Sequence, residues 1–93
     1  MNSVEKFRKI TTEMSNLYER KNKDYGNSFS ISVQKYGLIS ALTRISDKFN
    51  RLESLVLNKN TPCVENETLK DTLLDLASYC IMTTIELNND QHN

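Results

Sequence analysis

Hydrophobic residues recur at intervals of three and four along most of the chain, which is the spacing of amphipathic helices. A first helix is predicted over roughly Ser3 to Lys23, with Ser3 as its N-terminal cap and Gly26 as its stop. One stripe of this helix gathers six apolar side chains: Val4, Phe7, Ile10, Met14, Leu17 and Tyr18. A second helix is predicted over Leu38 to Leu57, where apolar residues form a seam at alternating intervals of four and three. The seam consists of Leu38, Leu42, Ile45, Phe49, Leu52 and Val56.

A third helix is predicted from Asn66 or Glu67 to about Leu87. Its apolar positions cover nearly half of the helix circumference: Leu69, Leu73, Leu76, Ala77, Cys80, Ile81, Met82 and Ile85. A helix with so wide an apolar arc is buried on more than one side, which three long helices cannot provide. We therefore expect a homo-oligomer, a dimer or a tetramer, to complete the bundle.

The segment from Asn27 to Gly37 is short and mixed. Phe29, Ile31 and Val33 alternate as they would in a strand, but no partner strand is predicted elsewhere, so a loop with a short helical turn is the better interpretation. The predicted fold class is therefore all-α, with three long helices plus a short helical turn.

Composition limits the function classes. We expect residues 1–87 to form a single domain and residues 88–93 to form a polar tail. The 12 Lys and Arg balance the 12 Asp and Glu, which argues against a dedicated DNA-binding module. Mean hydropathy is −0.56, and no apolar run reaches the length of a membrane span. The first residues lack the apolar core of a signal peptide, so a cytoplasmic location is expected.

Cysteine and histidine chemistry is not expected. Cys63 and Cys80 have neither CxxC spacing nor a nearby histidine pair, so a zinc site is not predicted. Cys80 lies in an apolar stretch and is predicted to be a buried thiol. The only histidine, His92, lies in the polar tail.

Charged residues on the second and third helices form two clusters with open interpretations. Asp71 and Asp75 are four residues apart and share a helix face with Tyr79. Their mutual repulsion is offset by solvent and neighbouring cations, or by a divalent metal such as magnesium. On the second helix a polar stripe opposite the seam is either a solvated face or a phosphate-binding face. That stripe consists of Arg44, Asp47, Lys48 and Arg51.

The stretch "KNKDYGNSF" (residues 21–29) crowds charge, amide and aromatic groups around Gly26. One interpretation is a helix C-terminus whose aromatics plug the core. The other is the edge of a pocket in which an aromatic ring stacks a base, worth about 1–3 kcal/mol. The residues of this stretch that are candidates for a ligand are Lys21, Asp24, Tyr25, Asn27 and Phe29.

The order of "KNKDYGNSF", "KYG", "RISDKFNRLESL" and "DTLLDLASYCIM" resembles the nucleotide-modification-associated domain family, found mainly in bacteriophages. That family in turn resembles the all-α, MazG-like NTP pyrophosphatases. The resemblance spans roughly Lys21 to Met82. It implies an all-α fold that oligomerises and binds nucleotides between its helices, inside the host cell if the chain is phage-encoded.

In the pyrophosphatases, acidic residues of two helices hold magnesium, and a water attacks the triphosphate. Asp71 and Asp75 match the second acidic element, and Asp47 is present in the first. Asn50 and Arg51 stand where a further carboxylate is expected. The resemblance thus implies that nucleotide recognition is kept and efficient hydrolysis is lost.

Three functions follow as hypotheses. The first rests on a resemblance of such relatives to viral sponge proteins: it is a non-catalytic sponge, without cofactor, that sequesters a cyclic dinucleotide or trinucleotide signal of bacterial CBASS immunity. In this hypothesis the ligand phosphates would contact Arg44, Lys48 and Arg51. Tyr25 or Phe29 would stack a base, and Asp24 and Asn27 would read the edge of that base. Asp71 and Asp75 would orient the cations or contact ligand hydroxyls. Lys21, Asp47 and Tyr79 complete the predicted ligand-binding set. The alternative is a magnesium-dependent NTP pyrophosphohydrolase with Asp47, Asp71 and Asp75 as metal ligands. The third is a helical interaction protein.

Overall fold

The computed structural model describes residues 1–58 and 66–90, without the side chains of Tyr25, Asn66, Glu67 and Asp90. Four helices follow one another: α1 (Ser3–Tyr25), α2 (Ser28–Tyr36), α3 (Leu38–Leu57) and α4 (Asn66–Asp90). The described ranges contain no strand, which confirms the all-α prediction. Cys63 and His92 lie outside the described residues.

The long helices keep their predicted positions. The bounds of α3 are as predicted, α1 continues two residues beyond Lys23, and α4 continues three residues beyond Leu87. The predicted turn is a helix of nine residues, α2, because Phe29 and Val33 are one helical turn apart and both are buried. Ile31, the middle residue of the apparent strand pattern, is exposed.

The cap of α1 differs from the prediction. Ser3 is already the first helical residue, and Asn2 caps the helix. The Glu5 N–H donates to Asn2 Oδ1 at 2.8 Å, and Asn2 Nδ2 donates to Glu5 Oε1 at 3.2 Å. Asn2 is the better cap because its carboxamide both satisfies an otherwise unpaired backbone N–H and holds the glutamate of the first turn.

Two glycines set the angles between helices. Gly26 has φ 68° and ψ −157°, and Gly37 has φ 79° and ψ −170°, a backbone region that is essentially restricted to glycine. The Gly37 N–H donates to the Val33 carbonyl at 2.7 Å, and the Ser40 N–H donates to the Gly37 carbonyl at 3.1 Å. A single residue therefore ends α2 and begins α3.

The core lies where α2, α3 and α4 meet. Phe29, Val33 and Ala41 are its buried hydrophobic side chains, and Tyr79 and Met82 of α4 pack against them. The most extensive contact between helices is that of α3 with α4. This core is small, and much of the apolar surface predicted to be buried is exposed in the described part of the chain.

A buried polar cluster joins α2 to α4. The Ser30 hydroxyl donates to Glu86 Oε1 at 2.7 Å, and both residues are buried. Gln34 Nε2 donates to Ser30 Oγ at 3.2 Å, and Asn89 Nδ2 lies 3.5 Å from Glu86 Oε2. Since the two helices are 56 positions apart in the sequence at this contact, the cluster is a long-range tie.

Apolar surface remains exposed on every long helix. In the α1 stripe only Met14 is partly buried, and Phe7 is 70% exposed. Cys80, predicted to be buried, is an exposed free thiol because its side of α4 faces away from the other helices. None of the helices in the described ranges combines the length and apolar character that crossing a bilayer requires.

Candidate functional site

A cleft of about 560 Å³ opens between the second half of α1, the start of α2, and one side of α3 and α4. The turn at Gly26 carries the chain from α1 into α2 and thereby places Asn27, Ser28 and Phe29 at the edge of the cleft. On α4 the lining residues recur at intervals of three and four, so they form one face of that helix. They are Lys70, Asp71, Leu74, Asp75, Ser78, Tyr79 and Met82. The volume is within the range of small-molecule sites.

The cleft is positively charged in a chain with no net charge. Five basic and three acidic side chains line it. The basic residues come from three helices: Arg20 and Lys21 of α1, Arg44 and Lys48 of α3, and Lys70 of α4. The acidic residues are Glu13, Asp71 and Asp75. Walls of one prevailing sign favour a ligand of the opposite sign, so the cleft suits an anion.

One ion pair crosses the cleft. Lys48 Nζ lies 3.6 Å from Asp75 Oδ2, and the two side chains are 32% and 39% exposed. Pairs of this exposure contribute only about 0–1 kcal/mol. A ligand phosphate can therefore displace Asp75 from Lys48 at a small cost in free energy. Lys48 is also a neighbouring cation of the kind expected to reduce the repulsion between Asp71 and Asp75.

Two aromatic rings meet at the inner wall of the cleft. The centroids of Phe29 and Tyr79 are 5.7 Å apart with an interplanar angle of 49°, a tilted arrangement that is favourable for aromatic pairs. Phe29 is buried and Tyr79 is partly buried. Phe29 thus plugs the core, which was one of the two interpretations of "KNKDYGNSF". Tyr79, and the exposed Tyr18 on α1, present more ring surface to the cleft.

The cleft brings together most of the residues predicted to bind a ligand. Those that line it are Lys21, Asn27, Phe29, Arg44, Lys48, Asp71, Asp75 and Tyr79. Asp24, Asp47 and Arg51 are exposed residues that do not line it, and the side chain of Tyr25 is outside the described part. Their predicted roles stay predictions.

Several lining residues were not predicted. Glu13, Tyr18, Arg20 and Lys70 line the cleft beside residues that were singled out. The apolar stripe of α1 indicated which side of this helix lines the cleft, because Met14, Leu17, Tyr18 and Lys21 follow one another at helical spacing. Extending that stripe to its polar flanks would have found Glu13 and Arg20.

The carboxylates of the predicted metal set are not gathered. Asp71 and Asp75 line the cleft, whereas Asp47 does not. Within residues 1–58 and 66–90, no group of three or more His, Cys, Asp or Glu side chains is placed to hold a metal ion. Within the described residues, the three aspartates of the enzyme hypothesis are therefore not brought together in one cleft.

Comparison with known proteins gives one relationship. The family model described as nucleotide modification associated domain 1 matches residues 21–87, a range that contains most of the cleft lining. Comparisons with curated proteins and with solved structures gave no match.

Proposed function

The chain belongs to the nucleotide modification associated domain 1 family, and on that premise we propose that its cleft binds a nucleotide ligand without hydrolysing it. The observation that carries this proposal is the excess of basic over acidic side chains in the cleft of a neutral chain. Arginine and lysine bind phosphate through charge-assisted hydrogen bonds, and Tyr79 or Tyr18 offers a ring for a base.

The ligand we propose is a cyclic dinucleotide or trinucleotide, sequestered as a signal of CBASS immunity. The distribution of cations supports a cyclic ligand over a linear triphosphate. Arg20 and Lys21 stand on one helix, Arg44 and Lys48 on a second and Lys70 on a third. A ring of nucleotides spreads its phosphates apart, whereas a triphosphate concentrates its charge at one end.

The absence of turnover in this proposal rests on Asp47. This residue does not line the cleft that Asp71 and Asp75 line. Metal-assisted phosphate hydrolysis needs carboxylates free to hold a cation. The second candidate, a magnesium-dependent NTP pyrophosphohydrolase, is favoured by one observation, the presence of both Asp71 and Asp75 in the cleft.

The first experiment incubates the purified chain with cyclic dinucleotides, cyclic trinucleotides and NTPs, with and without magnesium. Calorimetry measures binding and chromatography measures the recovered nucleotide. We expect a cyclic nucleotide to bind without magnesium and to be recovered intact after the protein is denatured. Pyrophosphate released from an NTP only with magnesium would establish the enzyme instead. If neither occurs, the helical interaction protein is the remaining hypothesis.

Asp75→Asn gives opposite results in the two functions. If Asp75 competes with phosphate for Lys48, the variant keeps its affinity or gains up to about fivefold, the worth of an exposed ion pair. If Asp75 is a metal ligand, the variant loses activity. A loss of cyclic-nucleotide affinity in Asp75→Asn would contradict the competition between carboxylate and phosphate.

Arg44→Ala and Arg51→Ala form a matched pair on the same helix. Arg44 lines the cleft and Arg51 does not. If the cleft is the binding site, Arg44→Ala weakens binding by roughly 10- to 100-fold, the worth of a charged hydrogen bond, and Arg51→Ala weakens it much less. Equal losses of affinity would indicate that the phosphates contact the whole polar stripe of α3 and not only the residues that line the cleft.

A further inference from the structure

Helix α1 is the helix that the rest of the chain holds least firmly. Among its described side chains only Thr11 and Met14 are partly buried, and the others are exposed. The contact of α1 with α4 is much less extensive than that of α3 with α4. Within residues 1–58 and 66–90, the side-chain hydrogen bonds of α1 stay within that helix and its cap, and no ion pair joins it to another helix. Packing therefore does little to fix the orientation of α1.

The same helix nevertheless forms one wall of the cleft. Its second half contributes seven lining residues: Glu13, Met14, Leu17, Tyr18, Arg20, Lys21 and Asn22. The other lining residues belong to α2, α3, α4 and the turn before α2. The width of the cleft therefore depends on the orientation of α1.

The backbone at Gly26 can serve as a hinge for α1. Its φ of 68° and ψ of −157° are restricted to glycine, and a Cβ at this position would meet no atom within 4 Å. The turn is thus not packed against another element, and hinges absorb rotation at a few such residues at the end of an element. Because α1 has 23 residues and is about 34 Å long, a rotation at Gly26 moves it as one rigid arm.

The two walls of the cleft carry charge of the same sign. On the α1 wall, Arg20 and Lys21 outnumber Glu13. On the wall formed by α3 and α4, three basic side chains outnumber two acidic ones. Of these five cations only Lys48 takes part in an ion pair within the described residues. An anion between the walls would therefore replace their mutual repulsion with attraction on both sides.

We propose that α1 is a lid that rotates about Gly26 and closes the cleft over a bound polyanion. The proposal rests on the proposed function for the anionic nature of the ligand. In the closed state the cations of α1 and those of α3 and α4 contact the same ligand. Tyr18 is carried by the lid, so closure brings a second aromatic ring to a base that stacks on Tyr79.

Distances between α1 and α4 test the lid. One spin label is attached to Cys80, an exposed thiol of α4, and the other to Lys9→Cys on α1, in a Cys63→Ser background. The labelled chain is diluted with unlabelled chain, so that pulsed electron paramagnetic resonance measures distances within one chain. The probes are inorganic tripolyphosphate and cyclic di-AMP, and calorimetry measures their binding. We expect a bound probe to shorten the distance by several ångström, because residue 9 lies about 25 Å from Gly26 along the helix.

The outcomes separate the lid from the proposed function. Unchanged distances with tripolyphosphate and with cyclic di-AMP would overturn the lid, and calorimetric binding of cyclic di-AMP in the same samples would leave the proposed function standing. Shortening with tripolyphosphate while cyclic nucleotides and NTPs do not bind would support the lid and remove the proposed function.

Gly26→Ala and Gly37→Ala form a matched pair, because both glycines have dihedral angles that strain an alanine and neither Cβ would meet an atom within 4 Å. At position 26 reorientation of α1 can relieve the strain. Gly26→Ala should therefore keep its Tm but bind tripolyphosphate about tenfold or more weakly, the worth of a charged hydrogen bond. At position 37 both flanking helices are held by the core, so Gly37→Ala should lower Tm and keep its affinity. Unchanged affinity in Gly26→Ala, or a loss of Tm as large as that of Gly37→Ala, would contradict the hinge.

Discussion

Removal of the hydrogen bond between Ser30 and Glu86 should lower the free energy of unfolding more than removal of most other hydrogen bonds in the chain. Ser30→Ala deletes the hydroxyl that donates to Glu86 Oε1 at 2.7 Å. Glu86 is 6% exposed, and no Lys or Arg of the described residues forms an ion pair with it. The other contact of its carboxylate is with Asn89 at 3.5 Å. The substitution therefore leaves a buried carboxylate oxygen without its close donor.

The expected loss in the free energy of unfolding is about 2 kcal/mol, since a hydrogen bond to a charged group contributes about 1.5–3 kcal/mol. For a domain of this size that loss lowers Tm by roughly 8–16 °C. The cost should fall to about 1 kcal/mol in a Glu86→Gln background, because the remaining acceptor is then neutral. The two substitutions thus combine less than additively.

Far-UV circular dichroism melts at one fixed protein concentration measure these differences, because association makes Tm depend on concentration. Ser54→Ala is the control: Ser54 is an exposed helical residue, so this variant changes helix propensity by the same amount as Ser30→Ala and breaks no buried contact. If Ser30→Ala melts at the temperature of Ser54→Ala, the buried cluster does not stabilise the fold as reasoned here.

Three further predictions concern the fold. Asn2→Ala should lower the free energy of unfolding of α1 by about 1 kcal/mol through loss of its N-terminal cap, measured as faster amide exchange in the first turn. Unchanged amide exchange would show that the Asn2 side chain does not stabilise this helix end. Gly37→Ala should cost about 1–3 kcal/mol in denaturant titrations, although a Cβ there meets no atom within 4 Å, and a neutral result would mean that the backbone relaxes. Phe29→Ala should cost about 3–5 kcal/mol, whereas Ile31→Ala, exposed on the same helix, should cost much less; equal losses would contradict the small core.

The helices could be predicted because their periodic patterns are long. The bounds of α3 follow from a glycine before it and a sustained apolar seam. The nature of α2 could not be predicted, because nine residues suit either a strand or a helix. Burial of Phe29 and Val33, with α4 packed against that core, selects the helix, and that contact is tertiary.

The cleft could be predicted only in part. A pattern on one helix shows which residues share a face, and this grouped Asp71, Asp75 and Tyr79 correctly. It does not show which face of that helix turns toward another helix. Asp47 and Lys48 are neighbours in sequence but about 100° apart around α3, and only Lys48 lines the cleft. The orientation of α3 about its own axis is set by packing against α4, so it cannot be predicted from the sequence pattern of α3 alone.

The distribution of charge agrees with the proposal that this neutral chain binds a small anion. The cleft contains five of the 12 basic residues and three of the 12 acidic residues. The rest of the chain therefore has seven basic and nine acidic residues and is net negative. A long polyanion such as DNA would have to approach that outer surface, and repulsion opposes it. A ligand small enough to enter the cleft meets walls with five basic and three acidic side chains, so under the proposed function this distribution of charge favours a nucleotide over nucleic acid.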